Sequence, residues 1–426
     1  MAGTFGKLRA AAIAANSITQ DRFTTNLNSS ISSAGLKISS LTISGGSGSD
    51  VDESGGDIVI LIGSGFNSNT NVYIGANTAT NVNLINSSAI SFETPAANIG
   101  NYNVYVKNED GAAAIYLPGI EYGEPYTFQG TTFGYASGGK TWPQSPPYPV
   151  TTRNEIIRFA FASSITSTDI GDLTVARTGA VGQSSKVNGY TSGATNVIDK
   201  FPFASIANAT DVGDLTFARG GAGQSSAVSG YTSGSSPTTN VIDKFPFASD
   251  SNATDVGDLS VGRGSTAGQS SSDNGYTSGG VSPPSSVLNI IDKFPFATDT
   301  NATDVGNLTQ SRRKSSGQSS ADSGYTSSGS STTSFPPVRS NVIDKFPFAS
   351  DANATDVGDV STLTEDGAGS SSTSHGYHMG GLAPYPISPF NTVTSTVQRF
   401  SFASDGNATS VGSLIAGRYG HAGQQY

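Results

Sequence analysis

One phrase recurs six times in this chain of 426 residues, fixed in length over one half and free over the other. An FxFA motif begins at Phe159, Phe201, Phe245, Phe294, Phe346 and Phe400, and a Gly-Tyr pair opens its partner at Gly134, Gly189, Gly230, Gly275, Gly324 and Gly376. From each Phe to the next Gly-Tyr the separations are 30, 29, 30, 30 and 30 residues, whereas from each Gly-Tyr to its own Phe they are 25, 12, 15, 19, 22 and 24. A segment that keeps its length is a structural unit. Length variation confined to one position of a repeat describes loops that leave one face of a fixed scaffold.

Each unit holds four short apolar stretches bounded by Gly, Ser, Asn or Asp; in the third copy they are AGQSS, the Gly-Tyr stretch, VIDKFPFAS and DLSVGR. Alternation such as Val241-Ile242-Asp243-Lys244-Phe245 suits a strand, and Pro246 suits a strand end. Four strands per unit at this period predict a β-propeller blade, and six copies predict six blades. The last copy stops after GHAGQQY, which supplies an inner strand, while the first copy lacks one. The C-terminal strand is therefore expected to complete the first blade and close the ring, removing the open edges.

With GYTSGG at 275–280, NIIDKF at 289–294, and Arg219, Arg263 and Arg418 ahead of the predicted inner strands, the propeller expected over 123–426 resembles the kelch type from about residue 130 onward. The recurring kelch Trp is missing, since Trp142 is the one tryptophan. The resemblance implies a fold, because propellers host many activities. The near-identical wording of the repeats also resembles virion structural proteins of marine and cyanobacterial phages.

Residues 38–122 differ in pattern. GGDIVILIGSGF (55–66), NVYIG (71–75), AISFETPA (89–96) and GNYNVYVKNEDG (100–111) are alternating strands separated by Gly, Asn and Pro turns. The Gly63-Ser64-Gly65-Phe66 turn, Thr94-Pro95 and the Asn108–Gly111 hairpin resemble an IPT/TIG domain, which implies an immunoglobulin-like sandwich serving as spacer or binding module. Residues 1–37 hold good helix formers from Phe5 to about Ala15 and are read as a short helical anchor rather than a signal peptide, whose apolar centre would be stronger. The fold class expected is all-β: an Ig-like sandwich, then a six-bladed kelch-like propeller, behind this N-terminal helix.

The chain carries 22 basic against 32 acidic residues, net charge −10, with no basic cluster, so nucleic acid is not an expected partner. No apolar run approaches the roughly 20 residues that span a bilayer, so membrane insertion is not expected. Zero cysteines exclude disulfides and thiol catalysis. Asp250, Asn252, Thr254 and Asp258 stand at positions 1, 3, 5 and 9 of a loop resembling a calcium loop, but Asp255 occupies the Gly position and no Glu follows at 12, so turn chemistry is the preferred account. The Asn-Ala-Thr triplets at Asn208, Asn252, Asn301, Asn353 and Asn407 are likewise read as turns. His375 and His378, three apart on a strand, point to opposite faces, and His421 is expected to pack. No catalytic motif is present, and the expectation is a non-enzymatic chain without cofactor.

The variable loops carry Trp142, Tyr148, Phe335, Tyr385 and Phe390 among stiffening prolines. Rigid loops presenting aromatic planes lose little entropy on binding and suit sugar rings; the kelch resemblance implies a ligand face at this connection. The expected function is a virion structural protein on the particle exterior, a tail fibre or adhesin that binds host-surface polysaccharide and contacts other virion proteins through residues 1–37. Capsid decoration or tail assembly is the alternative, a polysaccharide-degrading enzyme the third. Homo-oligomerisation is an open reading, as no heptads of a trimeric stalk occur.

Overall fold

The computed structural model describes residues 35–44, 50–52, 55–98, 100–123, 128–142, 150–235, 239–334, 336–384 and 391–426. The N-terminal helix expected from Phe5 to about Ala15 lies outside the described residues. The chain divides into two compact units, one ending at Tyr126 and the other starting at Thr127.

The first unit is a two-sheet sandwich. One sheet orders its strands Lys37–Ser44, Ile58–Ser64, Ala89–Glu93 and Thr80–Asn86; the other orders Asp50–Asp52, Ala113–Gly123, Gly100–Lys107, Asn71–Ile74 and Asn77–Thr78. Alternation decides which side chains meet: Val59, Leu61, Val72, Ile74, Val104 and Val106 point inward and are fully buried. The two turn motifs are tied together, because Asn108 donates from Nδ2 to the Gly65 carbonyl at 3.0 Å and accepts from Thr70 Oγ1 at 2.6 Å.

The second unit contains six four-stranded antiparallel sheets. In order from the inside, the first is Ala422–Gln425, Phe133–Ser137, Glu155–Ala160 and Ile165–Asp172; the second is Val181–Ser184, Asn188–Ser192, Val197–Pro202 and Thr210–Asp214; the third is Ala222–Ser225, Ser229–Ser233, Val241–Pro246 and Thr254–Asp258. The fourth is Ala267–Ser270, Asn274–Ser278, Ile290–Pro295 and Thr303–Asn307; the fifth is Ser316–Ser319, Ser323–Ser327, Val342–Pro347 and Thr355–Asp359; the sixth is Ala368–Ser371, His375–Met379, Thr396–Ser401 and Thr409–Ser413. The inner strands touch in cyclic order, the last meeting the first. The outer strands of the sixth and first sheets add a two-residue parallel pairing, Ile165 with Gly412 and Thr166 with Ser413.

Three parts of the repeated phrase make the junctions. The Gly of each inner strand lies against the carbonyl of the preceding inner Gly, so closely that a Cβ on Gly182, Gly223, Gly268, Gly317, Gly369 or Gly423 would meet that oxygen at 2.0–2.3 Å. Only Gly permits this approach, and the contacts run once round the cycle. The following Gln spans the junction: Gln224 Nε2 donates to Ser233 Oγ at 2.8 Å in its own sheet and to the Tyr276 carbonyl at 2.9 Å and Thr277 Oγ1 at 3.0 Å in the next. Each Gly-Tyr tyrosine then packs on both phenylalanines of the next sheet's FxF, as Tyr231 does on Phe294 and Phe296, with ring centroids 5.5 and 4.9 Å apart. The same triad closes the cycle between Tyr377 and Phe159 with Phe161.

One strand expectation is corrected. The outer strand of the third sheet is Thr254–Asp258, not DLSVGR at 258–263. Leu259 turns into the core and Arg263 is fully buried, so this stretch crosses to the next sheet instead of extending along an edge.

Candidate ligand face

Five of the six connections leading from an outer strand to the next inner strand carry the Arg of the repeat, and the variable loop of that next sheet lies beside it. Isolated bridges join the two at Lys140 with Tyr419, Gly264 with Val281, Arg313 with Ser330 and Glu365 with Leu382. Three variable loops fold into short hairpins of their own, at Lys140–Thr141 with Thr151–Thr152, Val281–Ser282 with Ser286–Val287, and Leu382–Pro384 with Asn391–Val393.

Arginine lets these loops differ in length. Arg312 donates from Nη1 to the carbonyls of Ser328 at 3.3 Å and Val342 at 2.6 Å, the two ends of its variable loop. Arg177 does the same to Gly193 at 3.4 Å and Val197 at 2.7 Å, and Arg418 to Gly138 at 3.0 Å and Glu155 at 3.4 Å. A guanidinium whose donors form a rigid fork fixes both ends of a segment while leaving its middle unconstrained.

Each buried cation needs a partner. Arg177, Arg219, Arg263 and Arg312 pair with Asp199, Asp243, Asp292 and Asp344 on the third strand of the next sheet. These carboxylates also accept from the preceding loop, as Asp292 does from the Ser260 N–H at 2.9 Å and Ser260 Oγ at 2.6 Å. Burial pushes the Arg177, Arg219 and Arg312 pKa values down, opposed by the facing Asp. At the sixth sheet both partners are replaced together: Thr364 stands for Arg and Gln398 for Asp, and Gln398 Oε1 accepts from Ser361 N–H at 2.6 Å. For Arg418 the first sheet has Ile157 at the position where four sheets have Asp, and its ion-pair partner is Glu155, with a carboxylate oxygen 3.9 Å away. Desolvation lowers its pKa to about 10.

Of the aromatic candidates, Trp142 lies on this face just after Lys140–Thr141, half-buried. Tyr148, Phe335, Tyr385 and Phe390 fall outside the described residues. The four oxygen-bearing residues of the calcium-like loop do not converge. Asp250 pairs with Lys200 of the preceding sheet at 2.5 Å, Asn252 Oδ1 accepts from the Asp214 N–H at 3.0 Å, and Thr254 to Asp258 are extended as a strand. The other Asn-Ala-Thr asparagines cap preceding outer strands in the same way. His378 is buried with Nε2 2.6 Å from Thr364 Oγ1, and His375 is half-buried beside Ser374. Among the described residues no group of three or more His, Cys, Asp or Glu could hold a metal. Sequence reasoning missed the Arg–Asp pairs; their signal was the joint loss of both residues in one copy.

Residues 37–128 match the IPT/TIG domain family, and this part of the chain is an Ig-like TIG domain. No curated protein matches the chain.

Proposed function

We propose that the cycle of six sheets is a six-bladed β-propeller of the kelch kind, and that the chain is a virion structural protein displaying it as a host-binding adhesin. The observation that carries this reading is the loop face itself: a near-invariant scaffold, both ends of three of the loops gripped by one buried Arg each, and variation confined to what lies between. That is the arrangement of a recognition surface on a rigid support. Two cations on this face are paired, Lys314 with Asp366 and Arg339 with Glu365, and among the described residues it carries no dense basic cluster, so a neutral ligand such as a surface glycan suits it better than a polyanion. Trp142 supplies a plane for a sugar ring.

The test is binding of the labelled full chain to susceptible bacterial cells, with competition against infection. Saturable binding that blocks infection, weakened about tenfold or more by Trp142→Ala, is the expected result. A chain that attaches to particles but never to cells would overturn the adhesin in favour of a decoration protein.

A further inference from the structure

On the side away from the variable loops, the sheets turn between their first and second strands and between their third and fourth. The turns after the inner strands stand side by side round the cycle, because those strands are bonded to one another at this end. Ser184 N–H donates to Ser225 Oγ at 2.9 Å, Ser225 to Ser270 at 3.0 Å, Ser270 to Ser319 at 3.0 Å, Ser319 to Ser371 at 2.9 Å and Gln425 to Ser184 at 3.1 Å. The residue just before each second strand is exposed, and from the first sheet to the sixth it is Thr132, Val187, Val228, Asp273, Asp322 and Ser374. The two valines are 60 % and 43 % exposed, on neighbouring sheets. The two acids are neighbours as well.

The cations at this end are grouped too. In four copies the third-strand Lys is neutralised by an Asp from the outer turn of the next sheet: Lys200 by Asp250, Lys244 by Asp299, Lys293 by Asp351 and Lys345 by Asp405, at 2.5–3.2 Å. In the sixth and first sheets the cation is Arg399 and Arg158, and Ser164 and Ile206 stand where the Asp would be. Ile206 is 69 % exposed. Among the described residues neither guanidinium is ion-paired, and neither is the carboxylate of Asp273 or Asp322. In cyclic order this face therefore carries unpaired positive charge on the first sheet, apolar side chains on the second and third, unpaired negative charge on the fourth and fifth, and positive charge on the sixth.

A patch that binds its own copy about a two-fold axis must complement itself. One axis in the plane of this face satisfies that demand: it enters between the second and third sheets and leaves between the fifth and sixth. It sets Val187 against Val228 of the second copy, Arg158 against Asp273 and Arg399 against Asp322. Every other two-fold axis in that plane sets unpaired like charges together, the first sheet against the sixth, the fourth against the fifth, or a charged sheet against itself. The arginines lie on the third strand and the acids before the second, an offset of roughly 5 Å between neighbouring strands that an arginine stem spans.

We propose that this face binds a second copy of the chain about that axis, so that the variable loops of the two copies point apart. The pairing does not depend on what the loops bind.

The experiment is sedimentation velocity of the full chain over a range of micromolar concentrations, at low and at high salt. A concentration-dependent dimer that salt weakens is expected, because exposed charges are screened. Val187→Asp with Val228→Asp installs the residue the fold already holds at Asp273 and Asp322. That double change puts like charges where apolar side chains met, and it is expected to weaken association about tenfold or more with an unchanged circular-dichroism spectrum. Arg399→Glu should weaken it about tenfold as well, and adding Asp322→Lys to the same chain should restore it, since the reversed charges meet again across the axis. A chain that stays monomeric at every concentration overturns the proposal, and so does a dimer indifferent to the Val and Arg changes. Association of the Arg399→Glu and Asp322→Lys chain no tighter than that of Arg399→Glu alone also overturns it.

Discussion

At the residue scale, the inner Gly and the buried histidines make opposite demands. Gly268 has the Gly223 carbonyl where a Cβ would stand, at 2.2 Å, and that oxygen belongs to backbone that cannot swing away. Gly268→Ala is therefore expected to cost about 3 kcal/mol or more by overpacking, measured by urea unfolding. Gly262→Ala is the control, since its nearest neighbour would be 3.5 Å away and Ala176 and Ala218 occupy the same place in other copies. Equal stability of the two variants would remove the close approach as the reason for the Gly. Burial pushes the His378 pKa down to about 4 and lowers His421 well below its usual value, the latter also because Arg418 is near. The unfolded chain takes up these protons near pH 6.5 and the folded chain does not, so stability present above that pH is lost as pH falls towards 4. For His378 the loss is of order 3 kcal/mol. Thermal melts from pH 7 to 4.5 should show it, and His378→Thr, matching Thr191, Thr232, Thr277 and Thr326, should flatten the slope. An unchanged slope would place the acid sensitivity elsewhere.

At the scale of the element, four of the six variable loops are modules held by a buried Arg that an Asp neutralises. Asp344→Gln leaves Arg312 buried without its counter-charge, and the expected cost is about 3–5 kcal/mol. Adding Arg312→Thr reproduces the Thr364 and Gln398 pair of the sixth sheet and should recover part of that cost. A double-mutant cycle with coupling above about 1 kcal/mol is the expected outcome; strict additivity would mean the pair acts as two separate residues. This pair also marks the limit of what the pattern of residues could tell. Strands that alternate and pair with neighbours in sequence, such as VIDKFP and the Gly-Tyr strand, were legible because their period of two is local. The stretch DLSVGR was not, because its apolar residues serve a long-range clamp: Leu259 plugs the core and Arg263 reaches Asp292, 29 residues away. The candidate site divides in the same way. Loop positions were readable from length alone, whereas an axial channel is lined by Ser- and Gly-rich stretches whose convergence appears only when the six inner strands come together.

For the whole molecule, the cycle depends on its last inner strand. Ala422–Gln425 pairs with Phe133–Ser137 in register from Ser137 with Ala422 to Gly134 with Gln425. Gly423 lies between Gly369 and Gly182, and Gln424 Nε2 donates to Ser137 Oγ, the Tyr190 carbonyl and Thr191 Oγ1 at 2.9–3.0 Å. Tyr426 packs on Phe203 with centroids 5.1 Å apart. One strand thus completes two junctions and covers one sheet edge. The sixth-to-first junction lacks the glutamine bonds of the others, because Ser370 stands where the other inner strands carry Gln and its hydroxyl has no partner among the described residues, although the outer strands there pair directly. Removing residues 422–426 should therefore interrupt the cycle of inner strands and expose the Phe133–Ser137 edge to other chains. The shortened chain is expected to elute as oligomers in size-exclusion chromatography and to melt at lower temperature. A synthetic peptide of residues 420–426 should restore the elution volume and melting temperature of the intact chain by adding the missing strand in trans, and the same peptide with Gly423→Val should not, since the added side chain would strike the Gly369 carbonyl. If the shortened chain elutes and melts like the intact one, the C-terminal strand is an ornament on a ring held by the remaining four junctions.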